Sequence, residues 1–221
     1  VPIFFSNLAI PLVGVVDTGL MGNLGHTKYL AATSIAASVM TMIIWSFGFL
    51  RMGTVGIVAQ LFAKSDYREI SKTLIRNFLI ATFVSIIVII FKPYLLNLVK
   101  IFFPTSDETQ QLIKTYISFR VLSLPAELTI YILIGFYLGI QKTKISSLLI
   151  IILSITNIVF SSFFVLTLNL NVLGVVLGTL IASYLTAILF SFYTYNFIVK
   201  KFQILPSFKN LIIPSKLLKL F

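Results

Sequence analysis

Long apolar stretches separated by short polar or basic loops make up most of the chain. They run well past about 18 residues and do not alternate with period two, so they predict transmembrane helices rather than the strands of a barrel. The pattern predicts six helices, at about 1–22, 29–62, 73–99, 112–140, 145–168 and 173–199. The predicted fold class is therefore an all-α integral membrane protein, with a six-transmembrane-helix bundle over residues 1–201.

The composition agrees with a chain whose solvent is mostly lipid. Of its 221 residues, 58% are hydrophobic and 10% are charged, whereas a soluble domain has roughly 25% charged residues. In lipid the backbone must satisfy its own hydrogen bonds, which continuous helices do. The composition therefore excludes a soluble domain.

The net charge of +11 comes mainly from loops on one side of the predicted bundle. In a soluble protein this charge would suggest nucleic-acid binding, but here it is typical of cytoplasmic loops beside an anionic membrane. The basic residues on this side include Lys64, Arg68, Lys72, Lys142, Lys144, Lys200 and Lys201. We expect a cytoplasmic N-terminus, contact with membrane lipids and no nucleic-acid partner.

The two ends of the chain carry weaker signals. The first residue is Val1 rather than Met, and we expect the segment to be incomplete at its N-terminus. Residues 202–221 combine Lys with apolar positions, and we interpret them as a cytoplasmic amphipathic linker towards further helices. Short amphipathic helices on the inner leaflet are the alternative.

Four oxygen-bearing side chains fall at similar depth in the outer half of the bundle. Asp17 lies in the first helix, Asn157 and Ser161 in the fifth, and Thr179 in the sixth. Asn157 and Ser161 share a helical face because they are four residues apart. If the four face one another, their oxygens suit a proton or Na⁺, and burial of a carboxylate favours reversible protonation. The alternative is that the uncharged members only hydrogen-bond between helices.

Three further ionisable residues lie within predicted helices, where such groups are costly and indicate function by default. Arg51 either snorkels, pairs with a carboxylate or faces an aqueous cavity. Arg120 and Glu127 share a face of the fourth helix, and we expect seven residues to be too far for direct contact, so that each finds a partner on another helix. Structural ion pairing and the lining of a substrate cavity both stay open for these three residues.

The first predicted helix contains two prolines, and the sequence contains no metal-binding or catalytic motif. Pro2 and Pro11 each remove a backbone donor and allow the first helix to bend. The chain has no Cys and a single histidine, His26, so no metal-ligand set is predicted. No catalytic motif is present either, and we do not expect an enzyme.

The stretch VPIFFSNLAIPLVGVVDTGLMGNL, followed by FLRMGTVGIVAQ, resembles the N-terminal half of the multidrug and toxic compound extrusion (MATE) family, in particular its DinF-like branch. RVLSLPAEL, GFYLGIQ, TNIVFSSFFV and GVVLGTLIASY are similar to that family's fourth to sixth helices. Family members have twelve helices in two lobes around a central cavity, and they exchange Na⁺ or H⁺ for organic cations by alternating access. The resemblance implies that Asp17 binds the coupling cation beside Asn157 and Thr179, and that Pro2 takes part in helix bending.

Ser161 departs from the family pattern, which usually has an acid four residues after the fifth-helix Asn. A single carboxylate holds a cation less tightly than two, so H⁺ becomes the better expectation than Na⁺.

The resemblance implies a cation-coupled antiporter that exports drugs or toxic organic compounds across the bacterial inner membrane. It also implies a small-molecule substrate, a second six-helix lobe on the same or another chain, and no cofactor besides the transported ion. Two alternatives stay open. One is a lipid-linked oligosaccharide flippase of the same superfamily, which would need Arg51 and Arg120 for a pyrophosphate headgroup. The other is a non-transporting half-transporter or assembly subunit.

Overall fold

A computed structural model of the chain describes residues 2–203, with side-chain environments described for 12–203. The described residues form nine α-helices. In chain order they are α1 (Pro2–Gly22), α2 (Thr27–Ser46), α3 (Gly48–Ala63), α4 (Tyr67–Ile90), α5 (Lys92–Phe102), α6 (Asp107–Arg120), α7 (Leu124–Gly139), α8 (Thr143–Ser162) and α9 (Asn171–Phe197). Helical turns of other types follow α6, α8 and α9, at Val121–Ser123, Phe163–Thr167 and Ile198–Phe202.

These helices join into the predicted helical bundle. Five described spans are long and apolar enough to cross a membrane: Thr27–Ala63, Tyr67–Ile90, Asp107–Gly139, Thr143–Thr167 and Asn171–Phe202. The part of α1 with described side chains, Leu12–Gly22, is a shorter apolar helix. The fold class is the one that the hydrophobic pattern predicts. The linker predicted at 202–221 lies outside the described residues from 204 onward.

Three predicted segments contain breaks that the apolar pattern does not reveal. The segment at 29–62 divides at Phe47, and the segment at 73–99 divides at Phe91. Pro93 lies in the first turn of α5, where its missing N–H is tolerated although it would disrupt a helix interior. The third break, between α6 and α7, lies beside the candidate site.

Pro125 explains the local geometry of that third break. It has no N–H to donate to the carbonyl of Val121, four residues earlier. The N–H of Leu124 donates to this carbonyl instead, which forms a 3₁₀ turn. The hydroxyl of Tyr184 in α9 donates to the neighbouring carbonyl of Leu122 at 3.0 Å. Both carbonyls are therefore satisfied, and the break is tied to α9.

Helix α7 lies at the centre of the bundle, and most of its residues are buried. Two glycines bring it against α3. A Cβ added at Gly135 would lie 2.8 Å from the carbonyl oxygen of Arg51, and one at Gly139 would lie 2.8 Å from Val58. Gly135 and Gly139 are four residues apart, the spacing at which small residues let membrane helices approach closely.

The exposed faces of the helices differ in character. Helix α4 exposes large apolar side chains, among them Leu79, Phe83 and Ile90, which suit lipid. Helix α2 instead has a shallow depression lined by Ala37, Ser38, Thr41, Met42, Trp45 and Ser46. This face mixes exposed apolar side chains, Met42 and Trp45, with hydroxyl groups, of which those of Ser38 and Ser46 donate to carbonyls of α2 itself.

Candidate functional site

The carboxylate of Asp17 in α1 faces the serine of α8. The hydroxyl of Ser161 interacts with the Asp17 carboxylate, while the Oδ1 atom of Asp17 is buried with no hydrogen-bond partner among the described residues. A buried, partly unsatisfied carboxylate oxygen is costly unless a cation or proton meets it. The predicted convergence of α1 and α8 at this depth is therefore observed.

Asn157 and Thr179 complete the polar cluster between α8 and α9. The amide nitrogen of Asn157 donates to the Thr179 hydroxyl at 3.0 Å, and the Thr179 hydroxyl donates to the carbonyl of Val175 at 3.0 Å. The hydroxyl of Ser161 lies 3.3 Å from Asn157 Oδ1 and 3.4 Å from the Val175 carbonyl. It carries one proton, so Asp17, Asn157 and Val175 compete for it. Asn157 and Ser161 are buried. Carboxylate, amide, hydroxyl and carbonyl oxygens thus meet at one place, a set that hard monovalent cations or a proton can use.

Gly178 permits this arrangement, although sequence reasoning did not single it out. A Cβ at Gly178 would lie 2.5 Å from the Ser161 nitrogen and 2.7 Å from its Cα. Real Cβ contacts are essentially never this short, so only glycine allows α8 and α9 to meet here. Its position one residue before Thr179 was the available signal.

Arg120 and Glu127 contact each other directly, which corrects the expectation that each pairs with another helix. The Nη1 atom of Arg120 donates to Glu127 Oε1 and to the Ser123 hydroxyl, and the Ser123 hydroxyl lies 2.8 Å from the same Glu127 oxygen. Two helical turns separate the backbones by about 10.5 Å, but a long Arg side chain and a Glu side chain leaning towards the N-terminus span that distance. Arg76 and Glu69 in α4 do the same at 2.8 Å, also seven residues apart.

The ion pair also influences other groups through its charge. Arg120 interacts electrostatically with Tyr116 of α6, a buried residue that sequence reasoning missed, and with the Asp17 carboxylate. Within the described residues, its direct ionic partner is Glu127.

Arg51 lies in a separate environment, next to Tyr131 of α7. Its guanidinium carbon is 5.8 Å from the centre of the Tyr131 ring, which suits a cation–π contact. The charges of Glu127 and Arg120 also act on the Tyr131 hydroxyl. Arg51 thus has a stabilising partner on the central helix, and the three residues predicted for a substrate cavity lie around Tyr131.

The prolines of α1 are placed only as backbone. Pro2 is the first residue of α1, and Pro11 lies within it, while the helix runs from Pro2 to Gly22. The environments of both side chains lie outside the described part of the chain. Their role in helix bending stays a prediction.

Comparison with known proteins identifies a family that matches most of the chain. Residues 2–163 match the MatE family. The chain is 30% identical over 188 residues to the DNA damage-inducible protein F of Escherichia coli, which covers 85% of this chain and 41% of that protein. It is 22% identical over 195 residues to the multidrug export protein MepA of Staphylococcus saprophyticus, covering 87% and 43%. The chain thus spans less than half the length of these curated relatives.

A solved structure shares the fold. It is a multidrug resistance MATE family transporter of the MOP superfamily in an outward-facing conformation, with a TM-score of 0.85 and 19% identity. The superposition covers 99% of this chain and 48% of that chain. This chain has the fold of one lobe of that transporter.

Proposed function

Because this chain belongs to the MatE family, we propose that it forms the N-terminal lobe of a cation-coupled antiporter that exports drugs or toxic organic compounds by alternating access. The chain is a multi-pass integral membrane protein, as its family and its five apolar spans show. The proposed membrane is the bacterial inner membrane, with the N-terminus in the cytoplasm. The proposed partners are membrane lipids, a small-molecule substrate and a second six-helix lobe on the same or another chain.

One observation carries the proposal: the half-buried Asp17 carboxylate lies beside Ser161, whose hydroxyl is linked through Asn157 to Thr179. The Oδ1 atom of Asp17 lacks a partner among the described residues. A proton or Na⁺ is the natural occupant of such a site, and it would be the transported coupling ion rather than a resident cofactor. H⁺ is favoured over Na⁺ because Ser161 stands where a second acid would add affinity.

The exposed face of α2 supports the second part of the proposal. Ser38, Thr41 and Trp45 line its depression, a mixed polar and apolar surface that would serve a substrate path or the contact with the second lobe. Arg51 and Tyr131 would contribute a mixed cationic and aromatic surface to the substrate cavity.

The flippase alternative needs basic residues available to a pyrophosphate headgroup. Arg120 is already engaged by Glu127 and Ser123, and Arg51 stacks on Tyr131. Both arginines that a flippase would use thus already have partners within the protein, which favours the antiporter.

The test is export of ethidium from proteoliposomes containing the full-length protein, driven by an imposed pH gradient or Na⁺ gradient. Asp17→Asn removes the only carboxylate that the described residues contribute to the cluster and is expected to abolish ion-driven export. Glu108→Gln is the matched control, since Glu108 pairs with Lys28 at the exposed end of the bundle, at 2.8 Å. Gradient-driven export by Asp17→Asn at the parental rate would refute the proposal. A parent that transports nothing, with or without a gradient, would favour the non-transporting subunit.

A further inference from the structure

Arg51 of α3 has no ionic partner within the part of the chain that the structure describes. Its guanidinium carbon lies 5.8 Å from the centre of the Tyr131 ring, and no hydrogen bond or ion pair joins it to any residue from 12 to 203. Arg76 and Arg120, by contrast, each contact a glutamate. A cation–π contact uses the face of the ring and leaves the N–H donors of the guanidinium unpaired. The described residues therefore compensate neither the charge of Arg51 nor its donors.

The position of Arg51 in its span places this charge within the apolar part of the membrane. Arg51 lies twelve residues before the end of the span Thr27–Ala63, or about 18 Å at the helical rise. Residues 52–63 carry no charge, as expected for a stretch in hydrocarbon. Side chains lean towards the N-terminus of their helix, so Arg51 leans away from this nearer end of the span. Lipid cannot satisfy its donors at this depth.

The packing of α3 against α7 fixes where Arg51 lies. A Cβ added at Gly135 would lie 2.8 Å from the Arg51 carbonyl oxygen, so the two backbones are in contact at this residue. Tyr131 lies one turn before Gly135 on the same face of α7. Arg51 and Tyr131 are both only partly buried, so the pair lies at the edge of the helix contact. Polar groups placed there need a water-filled cavity or a polar ligand rather than lipid.

The charged groups of the described residues beside Tyr131 leave one positive charge uncompensated. Glu127 lies four residues before Tyr131 and shares its face of α7, but Arg120 and Ser123 both bond the Glu127 carboxylate. That pair is neutral, and Arg51 adds the remaining charge. A carboxylate complements one guanidinium, because the planar N–H fork of arginine matches its two oxygens. The pyrophosphate of a flippase substrate would need a second free arginine, and Arg120 is already engaged.

We propose that Arg51 and Tyr131 form a substrate subsite for an aromatic compound that carries a carboxylate, with the carboxylate on the guanidinium and the aromatic rings beside Tyr131. The inference rests on the proposed function, because it names the class of compound that the proposed cavity prefers. The unpaired guanidinium beside a partly exposed aromatic ring, inside an apolar span, carries it. Aromatic cations without an acidic group, ethidium among them, bind there more weakly, through ring contacts alone.

The experiment measures dye binding by fluorescence polarisation on the full-length protein in lipid nanodiscs, without an ion gradient and with empty nanodiscs as the blank. The probes are tetramethylrhodamine, which has one carboxylate, and its methyl ester, in which that charge is blocked. The parent is expected to bind the acid at least about tenfold more tightly than the ester, since a hydrogen bond between charged groups makes a difference of this size. Arg51→Gln should weaken binding of the acid about tenfold and leave the Kd of the ester within about twofold.

Arg68→Gln is the matched control. Arg68 is an exposed arginine in the first turn of α4, and its substitution changes the net charge of the protein by the same amount. Its preference for the acid should equal that of the parent. Loss of the preference in both variants would mean that the acid responds to the overall charge of +11 rather than to a subsite, and the inference would be overturned.

Two further outcomes contradict the inference. One is a parent that binds both dyes equally, as when a carboxylate elsewhere in the full-length protein occupies Arg51. The other is a preference for the acid that persists in Arg51→Gln. Should Arg51→Gln not accumulate in the membrane, Arg51→Lys decides the question. It keeps the charge but loses the planar fork, so the acid should bind at least about threefold more weakly, and unchanged binding of the acid would refute the subsite.

Transport of the same two dyes by proteoliposomes separates this inference from the proposed function. Gradient-driven export of both dyes with equal half-maximal concentrations would overturn only the substrate class. Preferential binding of the acid with no gradient-driven export of either dye would overturn the proposed function and the substrate role with it, and would leave Arg51 as an anion-binding residue.

Discussion

Replacement of Gly178 by Ala tests the close approach of α8 and α9 at the site. The added Cβ would lie 2.5 Å from the Ser161 nitrogen, while ordinary van der Waals contact begins at 3.4 Å. Relief of this overlap requires the helices to separate by about 0.9 Å, because the obstruction is backbone and cannot rotate away. The Asn157–Thr179 hydrogen bond joins the same two helices at 3.0 Å and would be lost at that separation.

The energetic cost follows from these terms. Overpacking costs about 1–3 kcal/mol, and loss of the hydrogen bond costs about 0.5–1.5 kcal/mol. The better helix propensity of Ala offsets up to about 1 kcal/mol. We therefore expect Gly178→Ala to destabilise the protein by about 1–3 kcal/mol and to lower the apparent Tm by about 2–8 °C. The cation affinity of the site should fall as well.

The assay is thermal unfolding of the detergent-solubilised full-length protein, followed by tryptophan fluorescence. Gly56→Ala is the control, since its Cβ would meet nothing within 4 Å among the described residues. If Gly178→Ala has the same Tm as the parent, separation of α8 and α9 costs no stability, and the reasoning is refuted. Rescue by an added Ser161→Ala would also contradict it, because the hydroxyl rather than the backbone would then be the obstruction.

Three further substitutions probe other contacts. Ser161→Asp adds a second carboxylate beside Asp17 and should lower the Na⁺ concentration for half-maximal export; an unchanged Na⁺ dependence would mean that position 161 does not contact the ion. Tyr184→Phe removes the hydroxyl that donates to the Leu122 carbonyl and should cost about 1 kcal/mol, measured as a fall in Tm against the exposed control Tyr94→Phe. Tyr137→Phe removes the buried 2.7 Å hydrogen bond to Thr194 and should cost about 1–2 kcal/mol; a Tm equal to that of the parent would show that the bond contributes nothing.

Much of the candidate site follows from helical periodicity alone. Asn157 and Ser161 share a face because any α-helix places residues four apart together. Counting residues from the ends of the predicted spans places Asp17 and Thr179 at a similar depth. In the structure, these two residues belong to one polar cluster with Asn157 and Ser161. The membrane makes such estimates possible, since its thickness sets the minimum length of a helix that spans it.

The pairing of Arg120 with Glu127 was predicted incorrectly for a physical reason. Backbone rise sets the distance between helical positions, but side-chain length and lean decide which groups meet. Glu69 and Arg76 show the same effect at the same spacing. An ion pair seven residues apart is therefore available to Arg and Glu wherever burial gives them no better partner.

The sequence by itself determined the all-helical membrane fold class and the exclusion of a soluble domain, because both depend only on composition and on the length of the apolar segments. Only the tertiary structure decided which faces meet. The approach of α9 to Ser161 depends on the missing Cβ of Gly178. In the 3₁₀ turn, which Pro125 itself produces, the Leu122 carbonyl is satisfied by the hydroxyl of Tyr184, sixty-two residues away. Such contacts are set by the packing of whole helices against one another, which local periodicity does not specify.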